Sequence, residues 1–349
     1  MKREIIIPPS PAPLPEPETL DAAAILDSLL DGSCDLVCVL GPTASGKTRY
    51  AVSLARRFDS LLAERGVRAV DGSPARTEII SADSRQVYRG MSIGTGKDLS
   101  EYEEVPYHLI DIADAGEKYD IYRYQHDFSR VYEDIRRRGC IALMCGGSGL
   151  YIEAATCGYN LPDVPADPQL RAELEQYDDA TLTARLAALK PLHNSTDCDS
   201  RKRLIRALEI AIYEKDHPVT RSDFLPRSCF YIGTLVSREE RNARIDARLD
   251  ARLEEGMVEE VRTLMERVKP EDLIYYGLEY KFVTRYLLGE LSYGEMRRDL
   301  AVAIHQFAKR QMTWFRGMER RGFSIHWIDA TLPMQEKVNR IIELQYNNV

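Results

Sequence analysis

Residues 36–48, LVCVLGPTASGKT, run a short apolar stretch straight into Gly41, Pro42, Thr43, Ala44, Ser45, Gly46, Lys47 and Thr48. The spacing is that of a complete phosphate-binding loop, G-x-x-x-x-G-K-[ST], in a strand–loop–helix setting. The glycines let backbone N–H groups turn inward around phosphate oxygens. Lys47 adds a point charge, Thr48 offers a hydroxyl to Mg²⁺, and the next helix contributes the positive end of its dipole. The stretch predicts a polyphosphate site. Which polyphosphate it holds, and what becomes of it, is left open.

The surrounding pattern predicts an α/β fold, a P-loop NTPase-like parallel sheet core with a helical insertion and a helical C-terminal part. Ala51, Leu54, Ala55, Phe58, Leu61 and Leu62 recur at three and four, as in a helix packed on a sheet. Residues 78–82 and 141–145 read as buried strands, 107–112 as a shorter one, and Tyr124, Phe128, Val131, Tyr132 and Ile135 mark a helix between them. The expected divisions are a proline-rich leader with a short helix capped by Thr19 (1–33), the P-loop core (34–162), a helical insertion (163–223) and a return to the core with C-terminal helices (224–349). Helices are expected at 173–189, 201–213, 238–267, 280–288 and 293–314, and strands at 229–236 and 326–328. Residues 66–76 read as an exposed loop, an insertion.

Composition sets outer bounds. The 349 residues carry 47 basic and 55 acidic side chains, a net charge of −8, which by itself points to neither a membrane nor a nucleic acid. A local basic groove for RNA stays compatible with that total. Seven cysteines without a CxxC pair, and an N-terminus without a secretion signal or membrane span, fit a reducing cytoplasm.

The residues that can do chemistry carry double readings. The strand at 141–145 ends in Gly-Gly-Ser-Gly, where phosphate-loop ATPases usually place a Mg²⁺-binding acid. The strand that does end in an acid is 78–82, at Asp83. Asp83 faces the ligand side of a parallel sheet and reads as a Mg²⁺ contact, as a general base, or as a helix N-cap paired with Gln86. Ser148 is either a hydroxyl donor or the cap of the following helix. Arg201, Lys202, Arg203 and Arg206 form either a solvated helix face or a contact to an RNA backbone. Arg238, Arg244 and Arg248 are either surface charges or guanidinium clamps on a diphosphate.

Several stretches together resemble the tRNA dimethylallyltransferases, also called tRNA isopentenyltransferases, of bacterial type. They are GPTASGKT (41–48), ISADSRQVYRGMSIGTGK (80–97), PYHLIDI (106–112), GGSGLYI (146–152), RLIRALEI (203–210), SREERNARIDAR (237–248) and KRQMTWFRG (309–317). Departures from the family's usual wording include Ser148, which stands where threonine is usual. Gly96 replaces an alanine, and Gly277-Leu278-Glu279-Tyr280-Lys281 replaces a V-G-Y-R-like run, with Tyr280 retained and Lys281 keeping the charge.

The resemblance implies transfer of a dimethylallyl group from dimethylallyl diphosphate to N6 of the adenosine just 3′ of the anticodon, with diphosphate leaving. The loop from Gly41 to Thr48, with Mg²⁺ on Thr48, would then hold a leaving group, helped by Arg238, Arg244 or Arg248. Asp83 would act as general base, Thr48 and Ser148 as further catalytic groups. Contacts to tRNA would fall on Asp83, Ser84, Arg85, Gln86, Ser148, Arg171, Lys202, Arg203, Leu204, Ile205, Arg206, Tyr280 and Lys281. The implied partners are the anticodon stem-loop of tRNA and dimethylallyl diphosphate, without a membrane, on a monomer. A prenyltransferase acting on free adenine nucleotide, and a kinase in which Thr48 and Asp83 hold Mg·ATP, are the alternatives.

Overall fold

Residues 15–157, 164–189, 200–217, 226 and 228–338 are described by the computed structural model. The chain opens with α1 (Ala22–Leu30) and β1 (Leu36–Leu40), followed by α2 (Lys47–Glu64), β2 (Thr77–Ser81) and β3 (Tyr107–His108). Then come α3 (Ile121–Arg137), β4 (Ile141–Gly146) and α4 (Gly149–Thr156). Three helices follow, α5 (Pro168–Leu174), α6 (Asp179–Leu189) and α7 (Arg201–Asp216), before β5 (Cys229–Leu235). The C-terminal part holds α8 (Arg238–Glu255), α9 (Met257–Met265), α10 (Pro270–Tyr275), α11 (Leu278–Leu287), α12 (Tyr293–Arg320) and β6 (Ile325–Asp329).

The strands form one parallel sheet in the order β3-β2-β4-β1-β5-β6. Side chains alternate across a strand, so β1 serves two cores. Val37 and Val39, with Ile79, Leu143 and Ile232, pack against α1 and α2. Leu36, Cys38 and Leu40, with Ile80 and Met144, face α3, α4 and the C-terminal helices. All five residues of β1 are buried, which is why its sequence reads as a continuous apolar run. Strand β1 lies between β4 and β5, so its carboxyl end opens where the chain departs in opposite directions. No described helix is long and apolar enough to cross a membrane.

Several expectations need correction. The first helix begins at Ala22, and its cap is Asp21 (Oδ1 accepts from the Ala23 amide at 2.8 Å), not Thr19. The strand expected at 107–112 pairs only through His108, because Leu109 and Asp111 take positive φ (62° and 56°) and leave the ladder. The single helix expected at 238–267 is two, broken at Gly256, whose φ of 112° no helix interior admits. The helix expected at 173–189 is likewise two. Residues 66–76 are a mostly exposed loop, as expected, with a bridge between Arg68 and Pro74. The leader up to residue 14 lies outside the described residues.

Helices α5, α6 and α7 share their own apolar cluster, including Leu174, Leu182, Leu186, Leu204, Ile205 and Leu208. Its polar keystone is the buried Glu209, which accepts from the Asp167 amide (2.7 Å), Arg171 (3.0 and 2.7 Å) and Arg206. Burial alone would raise this carboxyl, but the bonds from Arg171, the Asp167 amide and Arg206 outweigh it and hold it below its ordinary 4.5. Glu209→Ala should therefore destabilise the three helices by about 1–3 kcal/mol at neutral pH, less than a fully buried pair because the arginines stay partly solvated. A carboxyl with a depressed folded pKa stabilises above the unfolded value and loses that contribution as pH falls through the folded one. The gap in proteolytic resistance between variant and wild type should thus narrow below pH 4.5, and a pH-independent gap would refute this.

Candidate active site

The phosphate-binding loop has the geometry of an anion cradle. Ala44 and Gly46 adopt positive φ (60° and 79°), and Gly46 starts α2 without any side chain capping its first amides. Those N–H groups remain for a ligand. The loop is held from behind by distant groups. Ser45 Oγ lies 2.6 Å from the Thr234 hydroxyl of β5. Gln311 of α12 accepts from the Thr43 amide (2.8 Å) and donates to the Gly147 carbonyl (2.9 Å), joining the loop to the turn after β4.

The ends of β2 and β4 interlock beside it. The Ser148 amide donates to the Ala82 carbonyl (3.2 Å), while Ser148 Oγ accepts from the Ser84 amide (3.0 Å) and contacts Ser84 Oγ (3.2 Å). Ser148 occupies the cap position of α4, yet its hydroxyl makes no capping bond and is turned to the Ser84 turn instead. Asp83 does not cap a helix either. Residues 84–87 are turns, and Asp83 Oδ1 accepts from the Arg85 amide (2.9 Å) in an Asx turn.

A third wall is the glycine-punctuated loop at 90–97. Glu260 of α9 accepts the amides of Ser92 (2.7 Å), Ile93 (2.7 Å) and Gly94 (3.0 Å), and the Tyr280 hydroxyl donates to it at 2.6 Å. Gln86 Nε2 donates to the Gly96 carbonyl (3.2 Å), and the buried Lys97 donates to the Tyr88 carbonyl (2.6 Å) and pairs with Asp111.

These walls enclose a cavity of about 330 Å³. Of the residues singled out in the sequence, Thr43, Lys47, Thr48, Asp83, Ser84, Arg85, Gln86, Ser148, Arg248, Tyr280 and Lys281 line it. Burial pushes the Lys47 ammonium down, opposed chiefly by the charge of Asp83. Arg248 pairs with Asp98 and reaches the Gly96 carbonyl at 3.4 Å. Its neighbours on the expected list do not reach the cavity: Arg238 is exposed at the start of α8, and Arg244 pairs with Glu240.

The helical unit is also apart from it. Arg171 and Arg206 are committed to Glu209, and Arg201 to Glu175 (2.7 Å) and Asp179 (2.6 Å). Leu204 and Ile205 are buried in the helical cluster, so their side chains are not available to an RNA; Lys202 and Arg203 are exposed. Among the lining residues to which the sequence assigned no role are Arg252 and Gln311. Arg252 stands four positions after Arg248, one helical turn along the same face. Gln311 lies within the KRQMTWFRG stretch, but nothing in its type announces a brace.

Among the described residues no group of three or more His, Cys, Asp or Glu could hold a metal. A hydroxyl and a carboxylate on the cavity wall, Thr48 and Asp83, suit a hard cation that takes most of its ligands from water and substrate phosphates, as Mg²⁺ does.

The pattern of the IPP transferase family matches residues 86–318. A relative named tRNA dimethylallyltransferase 1, from Parabacteroides distasonis, is 53% identical over 322 residues, 91% of this chain and 99% of its own. One named tRNA dimethylallyltransferase 2, from Porphyromonas gingivalis, is 54% identical over 88% of this chain and 98% of its own. The chain belongs to the tRNA dimethylallyltransferase family. The crystal structure of the tRNA isopentenylpyrophosphate transferase from Bacillus halodurans superposes with a TM-score of 0.60 at 31% identity, over 89% of this chain and 95% of its own. A eukaryotic dimethylallyltransferase acting on tRNA shares the fold, with a TM-score of 0.67 at 23% identity over 90% of this chain and 78% of its own. The α/β P-loop fold and the assignment as a prenyl-transferring enzyme agree with the reading of the sequence.

The Gln311 brace makes a prediction that needs no substrate beyond inorganic diphosphate. Gln311→Leu keeps the volume but strands the Thr43 amide and the Gly147 carbonyl. It should lower stability by about 1–3 kcal/mol and weaken diphosphate binding, measured by thermal unfolding and titration calorimetry. Unchanged values for both would show that the brace is idle.

Proposed function

We propose that this enzyme transfers the dimethylallyl group of dimethylallyl diphosphate to the exocyclic N6 amine of the adenosine 3′-adjacent to the anticodon in tRNA. The observation that carries the proposal is that Lys47 and Thr48 of the phosphate loop open into the same cavity as Asp83, while β4 ends in glycines instead of an acid. A loop of this kind can bind a diphosphate as a leaving group as readily as a phosphoryl donor. The names of the relatives support the donor and the RNA acceptor.

In this reading the loop amides, Lys47 and Arg248 take up charge as the bond from the prenyl C1 to the diphosphate oxygen breaks. The N6–C1 bond forms and the N6 proton passes to the Asp83 carboxylate. An adenine amine is a weak nucleophile because its lone pair is delocalised into the ring, so a base at this point matters. Thr48 would hold Mg²⁺, which when bound supplies charge neutralisation on the diphosphate. The Arg85 amide fixes one Asp83 oxygen and leaves the other for the amine. Ser148 positions the Asp83 turn through Ser84.

Reaching such a cavity requires the adenosine to leave the anticodon stack, at a cost of a few kcal/mol. Arg85 and the exposed Tyr275, whose ring lies 5.8 Å from the guanidinium, offer stacking and charge at its edge. Lys202 and Arg203 on the helical unit would contact the RNA backbone further out.

Labelled dimethylallyl diphosphate offered with unmodified tRNA or with AMP tests the reading. Label should reach tRNA; label in AMP alone would assign the free-nucleotide reaction instead, and phosphoryl transfer from ATP a kinase. Asp83→Ala should keep donor affinity while transfer falls about 10²–10⁴-fold. An equal loss of donor affinity would make Asp83 a metal-site residue and not the base.

A further inference from the structure

Arg252 is a largely covered cation whose nearest carboxylate stands off. Its side chain is 13% exposed, and its contact to a carboxylate is Asp98 at 3.7 Å, beyond hydrogen-bonding distance. That carboxylate is already engaged by Arg248. Burial and the neighbouring Arg248 both push the Arg252 guanidinium down, while Glu279 and Asp98 oppose them. A guanidinium with five donors is seldom left this way inside a protein unless an anion completes it. Arg252 also lines both the main cavity and a smaller pocket against it, bounded by Thr43, Ala44, Ile245 and Leu249. It therefore stands where the phosphate loop and α8 meet.

Two of the departures from the family's usual wording, at Gly96 and at Glu279, converge on this side chain. Gly96 has φ 61°, and a Cβ there would overlap the Arg252 guanidinium. The alanine found at this position in the common form would displace it. Aligned on Tyr280, the V-G-Y-R-like run puts Glu279 where a glycine usually stands, and Glu279 is a carboxylate that opposes Arg252 across the same wall. Gly96 clears the space and Glu279 supplies a counter-charge while the cavity lacks an anion.

We propose that Arg252 is a second guanidinium that binds the donor's diphosphate beside Arg248, a deepening of the prenyl diphosphate reading above that rests on it. Arg248 and Arg252, one helical turn apart, would grip the diphosphate from the side opposite the loop amides. Gly96 is then a specificity device, because the room it leaves is what admits the second grip.

Titration calorimetry with inorganic diphosphate and Mg²⁺ on the full chain, and steady-state transfer with the donor and tRNA varied separately, test this. Arg252→Met should weaken inorganic diphosphate about 10–100-fold, the range for hydrogen bonds to a charged group, and raise KM for the donor alike. KM for tRNA should stay put. Arg252→Lys should recover part of the loss by keeping the charge. Gly96→Ala should weaken diphosphate binding in the wild-type background and have little further effect on it in Arg252→Met; the strain of alanine at positive φ is common to both backgrounds and cancels in the cycle. Wild-type diphosphate affinity in Arg252→Met, a rise in KM for tRNA instead, or multiplicative losses in the double variant would each overturn the assignment. Wild-type chain that binds diphosphate through Arg252 yet transfers no prenyl group would leave the clamp standing and remove the prenyl reading.

Discussion

The uncapped first turn of α2 is the constraint on which the rest of the active-site region depends. Gly46 supplies no side chain to the amides it precedes, so the most polar point at the carboxyl edge of the sheet is left to an anion. An anion there needs a wall that is cationic and shielded from water. The lining answers with Lys47, Arg85, Arg248, Arg252 and Lys281 against the carboxylates Asp83 and Glu279. The chain as a whole carries −8, so this local reversal of sign is built by placement and not by composition.

Holding such a wall in place falls to polar side chains that come from far along the chain. Gln311 ties the phosphate loop to the turn after β4, Thr234 ties Ser45 to β5, and Glu260 gathers three successive amides of the 90–97 loop. Gln311 and Glu260 replace water on backbone groups of these loops. The irregular loops that carry chemistry are therefore fixed to the C-terminal helices. Helix α12 both packs against the sheet through Phe315 and Met318 and reaches the loop through Gln311, so the fold of the C-terminal half and the shape of the anion site are one problem.

What was legible in the sequence follows from this division. The phosphate loop and Asp83 could be read because their meaning is local: glycines at fixed spacing, and an acid at the end of an apolar run. Braces such as Gln311 and Glu260 could not, because their role depends on partners more than 150 positions away. Gly256 was hidden by a helical pattern that continues on both sides of it, so apolar spacing predicted one helix where backbone conformation makes two. The basic run at Arg201 to Arg206 was legible only in part. Its charges suggested a ligand, yet Arg201 and Arg206 are consumed in holding the three helices together, and Leu204 and Ile205 face their core.

The placement of Asp83 also separates this use of a phosphate loop from the commoner one. An acid at the end of β4, the strand beside β1, would stand against the metal and the transferring phosphate. Here that strand ends in glycines, and Gly146 packs so closely on the Ala82 backbone that a side chain there would overlap it. The acid is moved one strand further out, to β2, behind the turn that Ser148 fastens through Ser84. Asp83 shares the cavity with Lys47 and Thr48, and in the proposed reaction it meets the second substrate there. The sheet thus keeps its anion site beside β1 and carries its acid on β2, and in the proposed reaction the allylic carbon changes partners in the cavity that both line.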